Sequence, residues 1–289
     1  MNQPQSAVGN CLDVQSFINA QPLSRYQWRV VILCFLIVFL DGLDTAAMGF
    51  IAPALSQDWG IDRASLGPVM SAALIGMVFG ALGSGPLADR FGRKVVLVGA
   101  VLLFGAFSLA SAYSTNVDQL LVLRFLTGLG LGAGMPNATT LLSEYTPERH
   151  KSLLVTSMFC GFNLGMAGGG FISAKLIPAF GWHSLLLIGG VLPLILALVL
   201  VLWLPESARY LVVRNRGTDK VRKTLAPIAP AIVGEAGSFS VPEQKTVKAR
   251  NVFAVIFSGT YSVGTLLLWL TYFMAVSYTH LRAHETRED

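Results

Sequence analysis

Charge is scarce in this chain. Only 13% of its 289 residues are Asp, Glu, Lys or Arg, whereas a soluble domain carries about 25%. That shortage, with 53% hydrophobic residues and a mean hydropathy of +0.61, excludes an ordinary soluble domain and indicates a membrane protein. Cysteine is scarce too. Cys11, Cys34 and Cys160 are too few and too scattered for a disulfide framework or a metal site. Cys34 and Cys160 lie in apolar runs, where cysteine acts as a small hydrophobe. Of the histidines, His280 and His284 stand four apart near the end without a third ligand, so no metal is expected. The opening stretch, Met1 to Gln27, lacks both a short apolar core and a small-residue cleavage site. A removable signal peptide is therefore not expected, and the first apolar run is itself read as a span. No nucleophile–base pair stands out, so neither an enzyme nor a cofactor is expected.

Long apolar runs are what the chain has instead. A hydrocarbon core of about 30 Å takes roughly 20 residues of helix. Runs of that size fall at Val30–Ile51, Leu66–Leu87, Val95–Tyr113, Leu120–Leu142, Leu153–Ile177 and Leu185–Leu204. The basic residues sort by loop. One side collects Arg25, Arg29, Arg90, Arg93, Lys94, Arg149, Lys151 and the string from Arg209 to Arg250; the other holds Arg63 and Lys175. The positive-inside rule makes the first side, and the amino terminus, cytoplasmic. The net charge of +5 is thus topological. A lipid bilayer is the expected partner, and nucleic acid is not.

Six spans joined by short loops are followed by a polar, basic stretch from Pro205 to Arg250, read as a cytoplasmic linker. Amphipathic pieces of it could lie on the membrane surface. Six helices and a basic central loop look like half of a two-part transporter, although the residues show no convincing internal repeat. A seventh apolar segment is broken by a turn-like "SGTYS" at Ser258–Ser262. Either Val252–Val276 crosses as one kinked helix, or the seventh helix is cut off midway; the short second piece, about 21 Å over Val263–Val276, favours truncation. The expected organisation is a cytoplasmic segment (1–29), a six-helix transporter half (30–204), a central loop (205–250), the start of a seventh helix (251–276) and a polar tail (277–289). That tail resembles translated adapter sequence and is read as non-native.

The loop after the second run reads "GPLADRFGRK", Gly85 to Lys94. A positive-inside anchor explains its basic residues but not Asp89 or the two glycines. The pattern resembles the signature loop of the major facilitator superfamily. The resemblance implies an all-α polytopic fold in which Asp89 and Arg93 join a charge network bracing two halves. Arg124, in "RFLTGLGLGAGMPNATTLL", resembles the membrane-embedded arginine of the superfamily's fourth helix. Gly128, Gly130, Gly132 and Gly134 give small-xxx-small spacing in two registers, which suits close helix packing. In the fifth run Gly161, Gly165, Gly168, Gly169 and Gly170 resemble an antiporter glycine motif, but Met166 replaces its usual proline. Glu144 and Arg149 lie in "SEYTPERHK", where a solvated helix-end carboxylate and a gate brace with Arg93 are equally good readings. "PESARYL" resembles a sugar and organic-ion porter motif, which assigns Glu206 and Arg209 to the same charge network.

Asp41 and Asp44 are the costly residues. Counting 1.5 Å per residue, they lie roughly 17 Å and 21 Å above the inner boundary, and Arg124 roughly 24 Å above it. Three residues apart, the two aspartates share one side of their helix. If the first and fourth helices adjoin, as the resemblance implies, one polar cavity holds all three. A structural ion pair competes with a functional reading, but buried pairs are often no net stabiliser, which favours function. Two nearby carboxylates can hold one proton between them, and Arg124 can bind an anionic head group. "LDGLDTAAMGFIAPAL", the signature loop, "GMPNATTLLSEYTPERHK" and "LPESARYL" together resemble the aromatic acid:proton symporter family. That resemblance implies import of an aromatic carboxylate of the 4-hydroxybenzoate/protocatechuate class, coupled to protons through Asp41 and Asp44, across a bacterial inner membrane. It also implies twelve helices, so a carboxy-terminal half is expected to be missing and the chain by itself to be inactive. The alternatives are a sugar or other organic-anion porter and, from another class, a seven-helix receptor or pump. The last lacks a lysine for a retinal Schiff base in its seventh segment.

Overall fold

A computed structural model describes residues 11–241, 259, 262–271 and 274. Most of the sequence-predicted seventh segment and the whole 277–289 tail, with His280 and His284, lie outside the described residues. Six helices are long and apolar enough to cross a membrane: α2 (Arg25–Trp59), α3 (Gly67–Phe91), α4 (Arg93–Ser111), α5 (Val117–Tyr145), α6 (Glu148–Phe180) and α7 (His183–Trp203). They match the six apolar runs in number and order, and most overshoot them. α2 has 35 residues, about 52 Å of helix, so its ends project past the hydrocarbon. Its start is fixed by a reciprocal capping box: Ser24 accepts from the Gln27 backbone N–H, and Gln27 accepts from that of Ser24. Its end is fixed by Gly60, left-handed at φ 63°.

Association of these helices in lipid depends on close backbone approach rather than on hydrophobic burial. The chain supplies it with glycine. α3 packs chiefly on α5, α2 on α6, and α4 between α5 and α7. On the α3–α5 seam, a Cβ on Gly76 or Gly80 would fall on the carbonyls of Phe125 or Leu129, and one on Gly128 or Gly132 on those of Ala73 or Met77. Gly42 and Gly165 play the same part between α2 and α6, against Phe162 and Phe39.

At the end of the bundle that carries the amino terminus, the polar segments are folded together. They comprise β1 (Cys11–Asp13), α1 (Val14–Ala20), α8 (Ala208–Val213), α9 (Thr218–Leu225), α10 (Pro230–Glu235) and β2 (Ser238–Ser240). β1 and β2 pair in parallel, Cys11 opposite Ser238. Val14, Phe17 and Ile18 bury against Ala208, Leu211, Val221, Leu225 and Val233. The apolar face of α9, one amphipathic piece of the 205–250 stretch, is thus occupied within the protein. Its partner is the i, i+3, i+4 apolar stripe of α1, hidden in a stretch that reads as polar. The layer is tied to the bundle where Tyr210 donates to the carbonyl of Arg90 (3.1 Å) and Arg214 to that of Asp89 (2.8 and 3.0 Å). Separately, the described residues include a ten-residue apolar helix, α11 (Ser262–Thr271), about 15 Å long.

Candidate functional site

Arg124 of α5 and Asp44 of α2 form an ion pair at 3.3 Å, with 1% and 3% of their side chains exposed. Asp44 Oδ1 also accepts from Ser108 Oγ of α4 at 2.6 Å, and Arg124 Nε donates to Ser111 Oγ at 3.3 Å. Gly189 of α7 leaves the space beside this cluster: a Cβ there would lie 3.4 Å from both Asp44 Oδ1 and Ser108 Oγ. Four helices thus converge on one buried charge pair. Arg124 Nη2 is buried without a hydrogen-bond partner, so the guanidinium keeps one donor to offer.

Asp41 is buried too, with different hydrogen-bond partners. Its Oδ1 accepts from Thr45 at 3.4 Å, and it lines an apolar groove of about 500 Å³ with Met77, Val78 and Ala81 of α3, Leu131, Gly132, Met135, Pro136 and Thr139 of α5, and Phe159 of α6. Pro136 has no N–H for the carbonyl of Gly132, and both residues line this groove. Asp41 and the Asp44–Arg124 pair thus differ in their hydrogen-bond partners and in the side chains around them. Three positions turn a helix through about 300°, leaving the two carboxylates about 60° apart. That angle sends Asp44 towards α4, α5 and α7 and Asp41 towards the α3–α5 face.

The charged residues at the basic end form a second cluster. Arg93 Nε pairs with Glu144 Oε1 at 3.1 Å, and its Nη2 lies 3.6 Å from Asp89 Oδ1. Glu206 Oε1 accepts the backbone N–H groups of Lys94 (3.0 Å) and Ser207 (2.9 Å). Tyr145 donates to the Glu206 carbonyl at 2.5 Å. Gly92, at φ 103°, has no room for a Cβ because the Glu206 carboxylate occupies that place. Arg209 lies within the electrostatic field of Glu144. Arg149 is the exception among the expected gate residues. It donates to the carbonyl of Gln21 at 3.0 Å, because Pro147 starts a new helix and turns Arg149 towards the amino-terminal segment. Glu144 Oε2 is buried and unpartnered.

The four α5 glycines divide by face. Gly128 and Gly132 meet α3, Gly130 meets Ala100 and Phe104 of α4, and Gly134 only approaches Ile37 at an ordinary 3.6 Å. Ser108, Ser111, Thr45 and Gly189 are the site residues that the sequence reading missed. Two hydroxyls three apart in the "FSLAS" run were the available signal, since a serine pair there can solvate a buried charge.

The sequence profile of the Major Facilitator Superfamily matches residues 34–284. The chain is 87% identical over 281 residues to a 4-hydroxybenzoate transporter of Pseudomonas putida, covering 97% of this chain and 63% of that protein. It is 50% identical to a gallate transporter of Pseudomonas putida, covering 93% and 60%. Among solved structures, the xylose transporter XylE from Escherichia coli superposes with a TM-score of 0.60 at 22% identity, over 73% of this chain and 58% of that one, a likeness of fold. The chain therefore spans slightly under two thirds of the length of these curated relatives.

Proposed function

The chain belongs to the Major Facilitator Superfamily, and from that premise we propose that it is the amino-terminal part of a proton-coupled importer of aromatic carboxylates. The substrate class is that of 4-hydroxybenzoate and protocatechuate, and the membrane is the bacterial inner membrane, with the amino terminus and the basic end cytoplasmic. The 87% identity to a protein named for 4-hydroxybenzoate transport carries the substrate class. Buried charge supplies the mechanism. Asp44 is held by Arg124 and Ser108, whereas Asp41 faces an apolar groove with no cation in hydrogen-bond reach among the described residues. Asp41 is thus the group that takes and releases the coupled proton. Arg124, neutralised on one side by Asp44, uses its free Nη2 for the substrate carboxylate. The Arg93–Glu144 pair and the Glu206 cluster brace the cytoplasmic end and open as the halves rock.

Substrate sites in such folds lie between the two halves, so these residues transport only with the remaining length of the relatives. Uptake of labelled 4-hydroxybenzoate, with and without a proton uncoupler, tests the scheme in cells carrying the intact transporter. Asp41→Asn is expected to abolish proton-driven accumulation while leaving exchange of bound substrate; retained accumulation would remove Asp41 from the coupling role. A panel including a sugar and a non-aromatic carboxylate tests the substrate class.

A further inference from the structure

A second groove lies on the outside of the bundle, at the end that carries the amino terminus. It measures about 510 Å³ and is walled by the start of α2 and the end of α7. Arg25 and Arg29 sit at its mouth with Trp28, and Ile32 and Leu36 continue the α2 wall inward. Trp203 and Val199 form the α7 wall in the matching order, aromatic outermost and aliphatic deeper. Trp28 and Trp203 are 47% and 58% exposed, and Ile32 is 54% exposed, so none of the described residues covers this surface.

Charge and length together specify an occupant. Neither Arg25 nor Arg29 has a carboxylate or hydrogen-bond partner among the described residues; Arg29 only overlies the Tyr26 ring at 5.4 Å. Two guanidiniums at the membrane boundary, without a carboxylate partner among the described residues, can take an anion, and guanidinium is well matched to phosphate. From Arg25 to Leu36 the groove runs about 16 Å along α2, close to half of a 30 Å hydrocarbon core. An ionic mouth above an apolar trough one leaflet deep fits a phosphate head group with its acyl chains. The groove also faces away from the transport site. Ile32 and Asp41 are nine positions apart, about two and a half turns, which puts them on opposite sides of α2.

We propose that this groove is a site for an anionic phospholipid, with the phosphate between Arg25 and Arg29 and an acyl chain along Ile32 and Leu36. The bound lipid pins α2 to α7 at the boundary, while α2 carries Asp41 and Asp44 farther along. Assignment to the cytoplasmic leaflet rests on the orientation proposed above; the groove itself does not.

The test is titration of the purified chain in mild detergent, read by native mass spectrometry, with phosphatidylglycerol, phosphatidylethanolamine and inorganic phosphate. Phosphatidylglycerol is expected to bind to the wild-type chain in preference to phosphatidylethanolamine, without displacement by inorganic phosphate. Arg25→Gln/Arg29→Gln is expected to weaken phosphatidylglycerol about thirtyfold, at about fivefold for each basic residue lost. Arg25→Lys/Arg29→Lys should retain most of the binding, and Lys220→Gln on α9 should change nothing. Equal binding of the two lipids by the wild-type chain overturns the site without any variant having to fold. Displacement by inorganic phosphate, or equal losses from Lys220→Gln and the double arginine variant, also overturns it. The detergent titration reads no leaflet, so a reversed topology and an absent lipid site give different results.

Discussion

Replacing Asp44 by Asn removes one charge and almost no volume, which makes it a clean probe of the buried pair. Arg124 stays protonated in any protein environment, so the variant leaves an uncompensated guanidinium with 1% of its side chain exposed. At 3.3 Å, Coulomb's law with an effective dielectric of 20 gives about 5 kcal/mol of lost attraction. Losses of about 3–5 kcal/mol are typical when one partner of a buried pair is removed, so the two routes agree. Ser108 keeps an acceptor in the amide oxygen, but its 2.6 Å bond changes from charge-assisted to neutral, which adds to the loss. Arg124→Gln should cost a similar amount by stranding the carboxylate. The double variant Asp44→Asn/Arg124→Gln should be more stable than either single one, because two neutral amides can satisfy each other and Ser111. Thermal unfolding of all four proteins in detergent reads this as a coupling energy of about 3 kcal/mol or more. Additive losses, with the double variant the least stable, would refute the reasoning.

The α5 glycines should separate cleanly. Gly132→Ala drives a Cβ onto the Met77 carbonyl and should cost about 1–3 kcal/mol or more by overpacking, whereas Gly134→Ala meets only Ile37 at 3.6 Å and should stabilise α5 by up to about 1 kcal/mol; melting temperatures of the two variants decide it. Phe17→Ala empties the core that joins α1 to α8 and α9, at about 3–5 kcal/mol. Limited proteolysis should then cut within 205–241 much faster, with the six long helices intact; unchanged cutting would mean that α1 is not what holds this layer. Glu144→Gln keeps the shape of the Arg93 partner and removes its charge. Initial uptake by the intact transporter should fall about tenfold at unchanged membrane abundance if the pair is part of the gate, and should not fall if it is only a solvated helix end.

Much of the fold is legible because lipid imposes a strict length and composition on each crossing helix. The six apolar runs correspond one to one with α2 to α7, and the ends differ because polar extensions such as Arg25–Arg29 remain helical beyond the hydrocarbon. The layer at the basic end was not legible in the same way. Its core joins Val14, Phe17 and Ile18 to Leu211, Val221 and Leu225, residues some two hundred positions apart. No local pattern announces such a contact; α1 is only seven residues long, too short for periodicity to separate it from a loop.

The two aspartates show where reasoning from depth and spacing runs out. Depth alone brought Asp44 level with Arg124, and the ion pair at 3.3 Å follows from two helices of known rise running in opposite directions. Azimuth is a different quantity. The i, i+3 rule says that Asp41 and Asp44 are neighbours on one helix, but a 60° step is enough to send them into different interfaces when several helices surround α2. Which interface each enters depends on where α3, α4 and α7 pack, and the glycine positions that set this packing are scattered along the chain. The consequence is chemical as well as geometric. Asp44 has a guanidinium and a serine hydroxyl as partners, whereas Asp41 has one long hydroxyl contact and a wall of apolar side chains. Two carboxylates three positions apart thus meet different partners once the neighbours are placed, and that difference is the ground for proposing separate tasks for them.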